Sequence, residues 1–162
     1  ALKKDLLSPD SYQEMILNTT KLNTAGPDLA KLAGVHALTD VTGFGLAGHT
    51  LELARGSNCT AHIDWSKVPL LSNVQNLADD GVITGASDRN WLSYGDDVGI
   101  SEGFTPAQRA LLTDPQTSGG LLVSYSPDSV TEVLEIFRQH HFLAARVIGH
   151  MSKRQEKPLL IA

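Results

Sequence analysis

A chain of 162 residues with 41% hydrophobic residues has the apolar material for one well-buried domain, residues 1–162, and too little length for two. Its 13 Lys+Arg against 18 Asp+Glu leave a net charge of -5 with the cations scattered, which speaks against a nucleic-acid partner. No apolar run reaches the roughly 18 residues of a membrane span, no signal-peptide pattern opens the chain, and a cytoplasmic setting is expected. The lone Cys59 excludes a disulfide framework and a multi-cysteine metal site.

Ser8-Pro9-Asp10 has the chemistry of a helix start, with Ser8 as N-cap and Pro9 at the first helical position, followed by Tyr12, Met15, Ile16 and Thr19 at helical spacing. Gly26-Pro27-Asp28 opens a second helix carrying Leu29, Leu32 and Ala33, which Gly34 closes. Val35 to Leu38 then turns extended. After Gly43-Phe-Gly45 a helix is expected to bury Leu46, Thr50, Leu53 and Ala54 and to stop at Gly56, and Cys59 to Ile63 alternates as a strand with Cys59, Ala61 and Ile63 on one face. Cys59 reads there as a small buried residue and not as a nucleophile.

A helix is expected over Ser72 to Asp80, with Gly81 as its stop. Val82 to Gly103 is rich in Gly, Ser and Asp and reads as an ordered surface loop, with Trp91 and Tyr94 as packing anchors. Thr105-Pro-Ala-Gln108 is a capping box that starts a short helix to Leu112. Thr113 to Gly120 breaks it, Leu121 to Tyr125 reads as a buried strand, and Ser126-Pro-Asp128 leads into an amphipathic helix with Val130, Val133, Leu134 and Phe137 on one face. Ala144 to Ile148 and Pro158 to Ala162 are the remaining strands, the last one at an edge. Two strand-helix-strand units interrupted by helices suggest split βαβ packing, a partly ferredoxin-like mixed sheet with helices on its faces, and so the α+β class.

The chemistry concentrates in His36-Ala-Leu-Thr-Asp-Val-Thr-Gly-Phe-Gly-Leu-Ala-Gly-His49. Gly43, Gly45 and Gly48 match G-x-G-x-x-G, which brings backbone N–H groups up to a phosphate at a helix N-terminus. Asp64 lies near the offset of a ribose-binding acid, so a dinucleotide reading has one point in its favour. Asp40 opposes it. At roughly 5 Å and an effective dielectric of about 20, its carboxylate would repel a phosphate charge by about 3 kcal/mol, whereas a helix N-terminus returns only about 0.3–1 kcal/mol. Either a divalent cation sits between carboxylate and phosphate, or the glycines serve a tight turn with Asp40 capping nearby N–H groups. As a Mg²⁺ ligand Asp40 needs companions, and Asp114 is one candidate within the chain. The six histidines show no H-x-x-x-H ligand spacing.

Thr39-Asp-Val-Thr-Gly-Phe-Gly-Leu-Ala-Gly-His49, Asp88-Arg-Asn90 and Asp114-Pro-Gln-Thr-Ser-Gly-Gly-Leu-Leu122 together resemble the C-terminal domain of the selenophosphate synthetases (selenide, water dikinases), within the ATP-dependent superfamily that includes aminoimidazole ribonucleotide synthetase. The resemblance implies the C-terminal domain of a two-domain enzyme that makes selenophosphate, AMP and orthophosphate from ATP, selenide and water, with Mg²⁺ compensating phosphate charge. It implies that Asp40 binds the metal at a face between domains, that Thr42, Gly43 and Gly45 lie near the phosphates, and that Arg89 and Asn90 contribute to nucleotide binding. It also implies an N-terminal domain of the same protein as partner and a homodimeric complete enzyme. The family's reactive Cys or selenocysteine, its lysine and its other metal-binding aspartates belong to that N-terminal domain. No catalytic residue is therefore expected here, and Cys59 is not a substitute. Gly85-Ala86-Ser87 stands where the family often has Gly-Gly-Thr, which leaves the roles of Arg89 and Asn90 open. Two other readings remain: a superfamily member of purine synthesis or thiamin phosphate phosphorylation, and a non-catalytic dinucleotide-binding module.

Overall fold

A computed structural model describes residues 1–162. Helix α1 (Pro9–Thr19) starts as its sequence implies, the Ser8 side chain accepting from the Ser11 N–H. Helix α2 is only Gly26–Leu29, shorter than expected, because the chain turns after Ala30 to enter strand β1 (Val35–Asp40). Helix α3 (Gly45–Gly56) then leads to β2 (Cys59–Ile63). Its inward positions include Ala47, Leu51 and Ala54, all fully buried. Leu51 therefore does what was expected of Leu53, which is only half-buried.

Helix α4 (Val74–Asp79) precedes the largest departure from expectation. Residues 82–103 form no irregular loop but helix α5 (Gly85–Tyr94) and strand β3 (Val98–Ile100). The helix starts at Thr84, whose hydroxyl accepts from the Ser87 N–H, and its only buried residues are Ser87 and Tyr94. With so small a buried face it has no apolar stripe for sequence periodicity to detect. Helix α6 (Pro106–Leu112) begins with the expected capping box of Thr105 and Gln108. Strand β4 (Leu121–Tyr125) is followed by helix α7 (Val130–Gln139), then by β5 (Gly149–Lys153) and β6 (Leu159–Ile161).

The strand expected over Ala144 to Ile148 is displaced to β5, because the register is dictated by antiparallel pairing with β2, His62 opposite His150 and Cys59 opposite Lys153. Strand β6 is not an edge: in the order β3-β6-β2-β5 it lies between β3 and β2, parallel to both. Leu159 and Ile161 are buried there, and Pro158, whose ring removes one N–H donor, sits just outside the strand where its carbonyl accepts from Ala61.

The α+β class and the mixed sheet are present, and the strands divide between two sheets. β1 pairs only with β4, antiparallel, as a two-stranded ribbon, so the strands flanking α3 belong to different sheets. The ribbon lies between two cores. Leu38, Leu121 and Val123 pack toward α2 and α7 around Leu29, Val133 and Phe137. Val41 and Leu122 instead join the larger core of α3, the four-stranded sheet, Tyr94 and Leu112. Alternation along β4 thus serves both sides. Each fully buried leucine, Leu29 and Leu51 among them, contributes about 1.5–3 kcal/mol.

Candidate functional site

The β1–β4 register sets Asp40 opposite Leu121, so the loop leaving β1 (residues 41–44) and the loop entering β4 (residues 113–120) lie side by side. Val41 N–H donates to the Gly120 carbonyl and Gln116 N–H to the Thr42 carbonyl, both at 2.9 Å. The Asn23 amide donates to the Gly119 carbonyl at 2.9 Å. A Cβ on Gly119 would stand 1.9 Å from the Val41 oxygen, so these loops touch backbone to backbone.

Helix α5 closes the same junction from the third side. The Asn90 side-chain amide donates to the carbonyls of Gly43 and Thr113, each at 2.9 Å. One turn on, the Tyr94 hydroxyl donates to the Phe44 carbonyl at 2.5 Å, and burial pushes the phenol up to about 12, which keeps it a donor. Gly45 has φ of +69°, and a Cβ there would lie 2.6 Å from the Thr113 carbonyl carbon. Residues Gly45 to Gly48 are all buried.

The first turn of α3 therefore faces the 113–114 backbone, whereas a dinucleotide pyrophosphate needs open N–H groups at that turn. Asp64, the acid of the dinucleotide reading, has its carboxylate held low by the Lys67 ammonium and by Ser66, and caps its own turn. Of the glycine loop only Gly43 and Phe44 are exposed, with Thr42 half-buried behind them.

Asp40 is exposed and its carboxylate enters none of the ion pairs. It caps no backbone N–H, and its carbonyl accepts from the Thr39 hydroxyl at 3.1 Å. Asp114 differs. Its carboxyl accepts from the Thr84 and Ser87 hydroxyls at 3.2 and 3.3 Å at the start of α5, and burial raises its proton affinity despite those two bonds. Arg89 is exposed and unpaired beside Asn90. The structure thus gathers Asp40, Thr42, Gly43 and Asn90 around one junction, with Gly45 inside it and the Asp114 carboxyl turned toward α5.

No three His, Cys, Asp or Glu side chains converge anywhere in the chain. Asp40 fits Mg²⁺ as one hard oxygen ligand, and an octahedral ion would need its other oxygens from water, phosphate and acids outside this set. A cleft of about 360 Å³ between α4, α5 and α6, lined by Asp79, Asp88 and Arg109, includes none of the loop residues.

Sequence reasoning passed over one group. His49, 7% exposed, lies with Nε2 3.1 Å from the Thr42 hydroxyl and Nδ1 2.8 Å from the Glu52 carboxylate. The available signal is spacing: His49 and Glu52 are three apart on one helix face, a pair that His-to-His spacings alone do not reveal.

Residues 4–160 match the family model of the AIR synthase related protein, C-terminal domain. Selenide, water dikinase of Pseudomonas straminea is 60% identical over 151 residues, which is 93% of this chain and 42% of that protein. The enzymes of the same name from Burkholderia orbicola and Rhizobium meliloti are 57% and 50% identical, over 93% and 92% of this chain and 43% of each relative. The chain spans less than half the length of these curated relatives. Among solved structures, the E. coli hydrogenase maturation protein HypE covers 86% of this chain and 34% of its own at a TM-score of 0.54 and 19% identity. A HypE complex with ATP covers 85% of this chain and 33% of its own at a TM-score of 0.51 and 18% identity. These two show the fold alone.

Proposed function

Since the chain belongs to the AIR synthase related protein C-terminal domain family, we propose that it is the C-terminal domain of a selenide, water dikinase, which makes selenophosphate, AMP and orthophosphate from ATP, selenide and water. The observation that carries the site reading is the exposed Asp40 carboxylate, free of intramolecular partners at the end of β1 beside the 113–120 loop. In this reading Asp40 holds Mg²⁺ at the face toward an N-terminal domain that supplies the nucleophile and further acids. The ion compensates charge on the ATP phosphates. Thr42 and Gly43 lie next to the metal-bound phosphates, and Asn90 keeps that loop against residues 113–114. Arg89, exposed and unpaired next to Asn90 in α5, is available to an anionic group. ATP as the nucleotide accords with the HypE complex. The complete enzyme is taken to be a cytoplasmic homodimer.

Asp40→Asn in the complete enzyme tests this reading. Mg²⁺-dependent turnover is expected to fall by at least about tenfold, equivalent to about 1.4 kcal/mol, with an unchanged melting temperature. Unchanged turnover would reduce Asp40 to a loop residue. Assaying selenide against aminoimidazole ribonucleotide precursors and thiamin phosphate separates this function from others of the superfamily.

A further inference from the structure

The Thr42–His49–Glu52 array has a direction. A carboxylate only accepts, so the Glu52 contact at 2.8 Å requires the proton on His49 Nδ1. In the neutral ring Nε2 is then an acceptor, and the Thr42 hydroxyl 3.1 Å away donates to it. His49 is held in that pose: it is buried in α3, and the Phe44 ring packs against it, tilted by 47° at 5.8 Å between centroids. Glu52, by contrast, is half-exposed, so it can be replaced without opening the core.

We propose that His49 and Glu52 are positioning residues for the Asp40–Gly45 loop, which commit the Thr42 hydroxyl proton inward so that Thr42 offers a lone pair, and no donor, to the ligand beside Asp40. The hydroxyl then suits a hydrated divalent cation, whose first-layer water donates, and it meets the neighbouring phosphates only through that ion and its water, because a bare phosphate oxygen needs a donor. The proposal rests on the Asp40 site reading above and sharpens it: two residues apart, a carboxylate and an acceptor hydroxyl present one polarity. The Asn90 clamp on Gly43 adds to this by holding the loop against rotation.

The test uses the complete enzyme labelled with ¹⁵N-histidine. Long-range ¹H–¹⁵N spectra near neutral pH are expected to show His49 as the Nδ1–H tautomer; an Nε2–H tautomer or a doubly protonated ring would overturn the proposal. Mn²⁺ affinity, read by paramagnetic resonance without turnover, supplies the second arm. Glu52→Leu and His49→Leu are expected to weaken it by about tenfold or more, the range of partners that orient a metal site. Thr42→Ser and His49→Gln, whose carbonyl can accept the Thr42 proton, should retain most of it, with Glu52→Leu melting as the parent does. Equal affinity in His49→Leu and His49→Gln would leave His49 a packing residue and sink the idea. If Asp40→Asn weakens Mn²⁺ binding while Glu52→Leu does not, the positioning role alone fails. Should Asp40→Asn have no effect on Mn²⁺, the site reading fails and takes this proposal with it.

Discussion

Gly45 and Asp114 meet at the junction of the two loops, and each makes a prediction that depends on its own atoms. Gly45 combines a left-handed backbone with a neighbour too close for any Cβ, 2.6 Å to the Thr113 carbonyl carbon. Gly45→Ala should therefore cost about 1–3 kcal/mol in backbone strain and about 1–3 kcal/mol in overpacking, read as a lower denaturant midpoint. A midpoint unchanged from the parent would mean that the loops can part without loss. Asp114 binds its proton more tightly folded than unfolded, because burial outweighs the Thr84 and Ser87 hydrogen bonds. Its favourable term is complete below the ordinary carboxylate range and is lost as pH rises through its raised folded value. Asp114→Asn, which can still accept from both hydroxyls, should raise the melting temperature at neutral pH, with the gain vanishing below about pH 4. A pH-independent gain would assign the effect to packing instead.

At the scale of elements, the β2–β5 pairing carries its own titration. His62 and His150 face each other across the pair and stack at 4.5 Å with an interplanar angle of 4°. Burial first, and the charge of His150 second, hold the His62 proton affinity below the ordinary histidine value. The unfolded chain takes up that proton more readily, so the stability from this group is present above the ordinary range and lost as pH falls through it. Denaturant midpoints should drop between about pH 7.5 and 5.5, and His150→Gln should make the drop shallower. An identical pH slope in the variant would show that the stack is not its source. The elements also differ in how well local sequence announced them. Helices α1 and α6 carry their own caps, Ser8 and the Thr105–Gln108 box, and began where those residues said. Helix α5 has the Thr84 cap but no apolar stripe, and what holds it is distant: Asn90 bonds to Gly43 and Thr113, Tyr94 to Phe44.

For the whole molecule, the sole cysteine belongs to a different sheet from the strand that carries the candidate loop. Cys59 starts β2 in the four-stranded sheet, its thiol donating weakly to the Ser57 carbonyl at 3.4 Å, while Asp40 ends β1 in the ribbon. With no converging set of metal-ligating side chains either, the 162-residue chain alone is expected to consume no ATP in a selenide-dependent way, and a phosphate-release assay checks this. Measurable consumption would require a nucleophile and metal site within these residues. The α+β class, most helix starts, the Asp40–glycine conflict and the family resemblance are legible along the chain, because each is written in residues close together: caps, periodicities, motifs, and charges within a few positions of a loop. Folding alone reveals that the strands divide between two sheets, that β6 is internal, that Gly45 makes room for Thr113, and that His49 and Glu52 stand behind Thr42. The first three of these depend on which distant backbone lies alongside, and nothing in a local pattern encodes that neighbour. The last needed the chain to bend at Gly43–Gly45, bringing a helix side chain back onto the loop that precedes it.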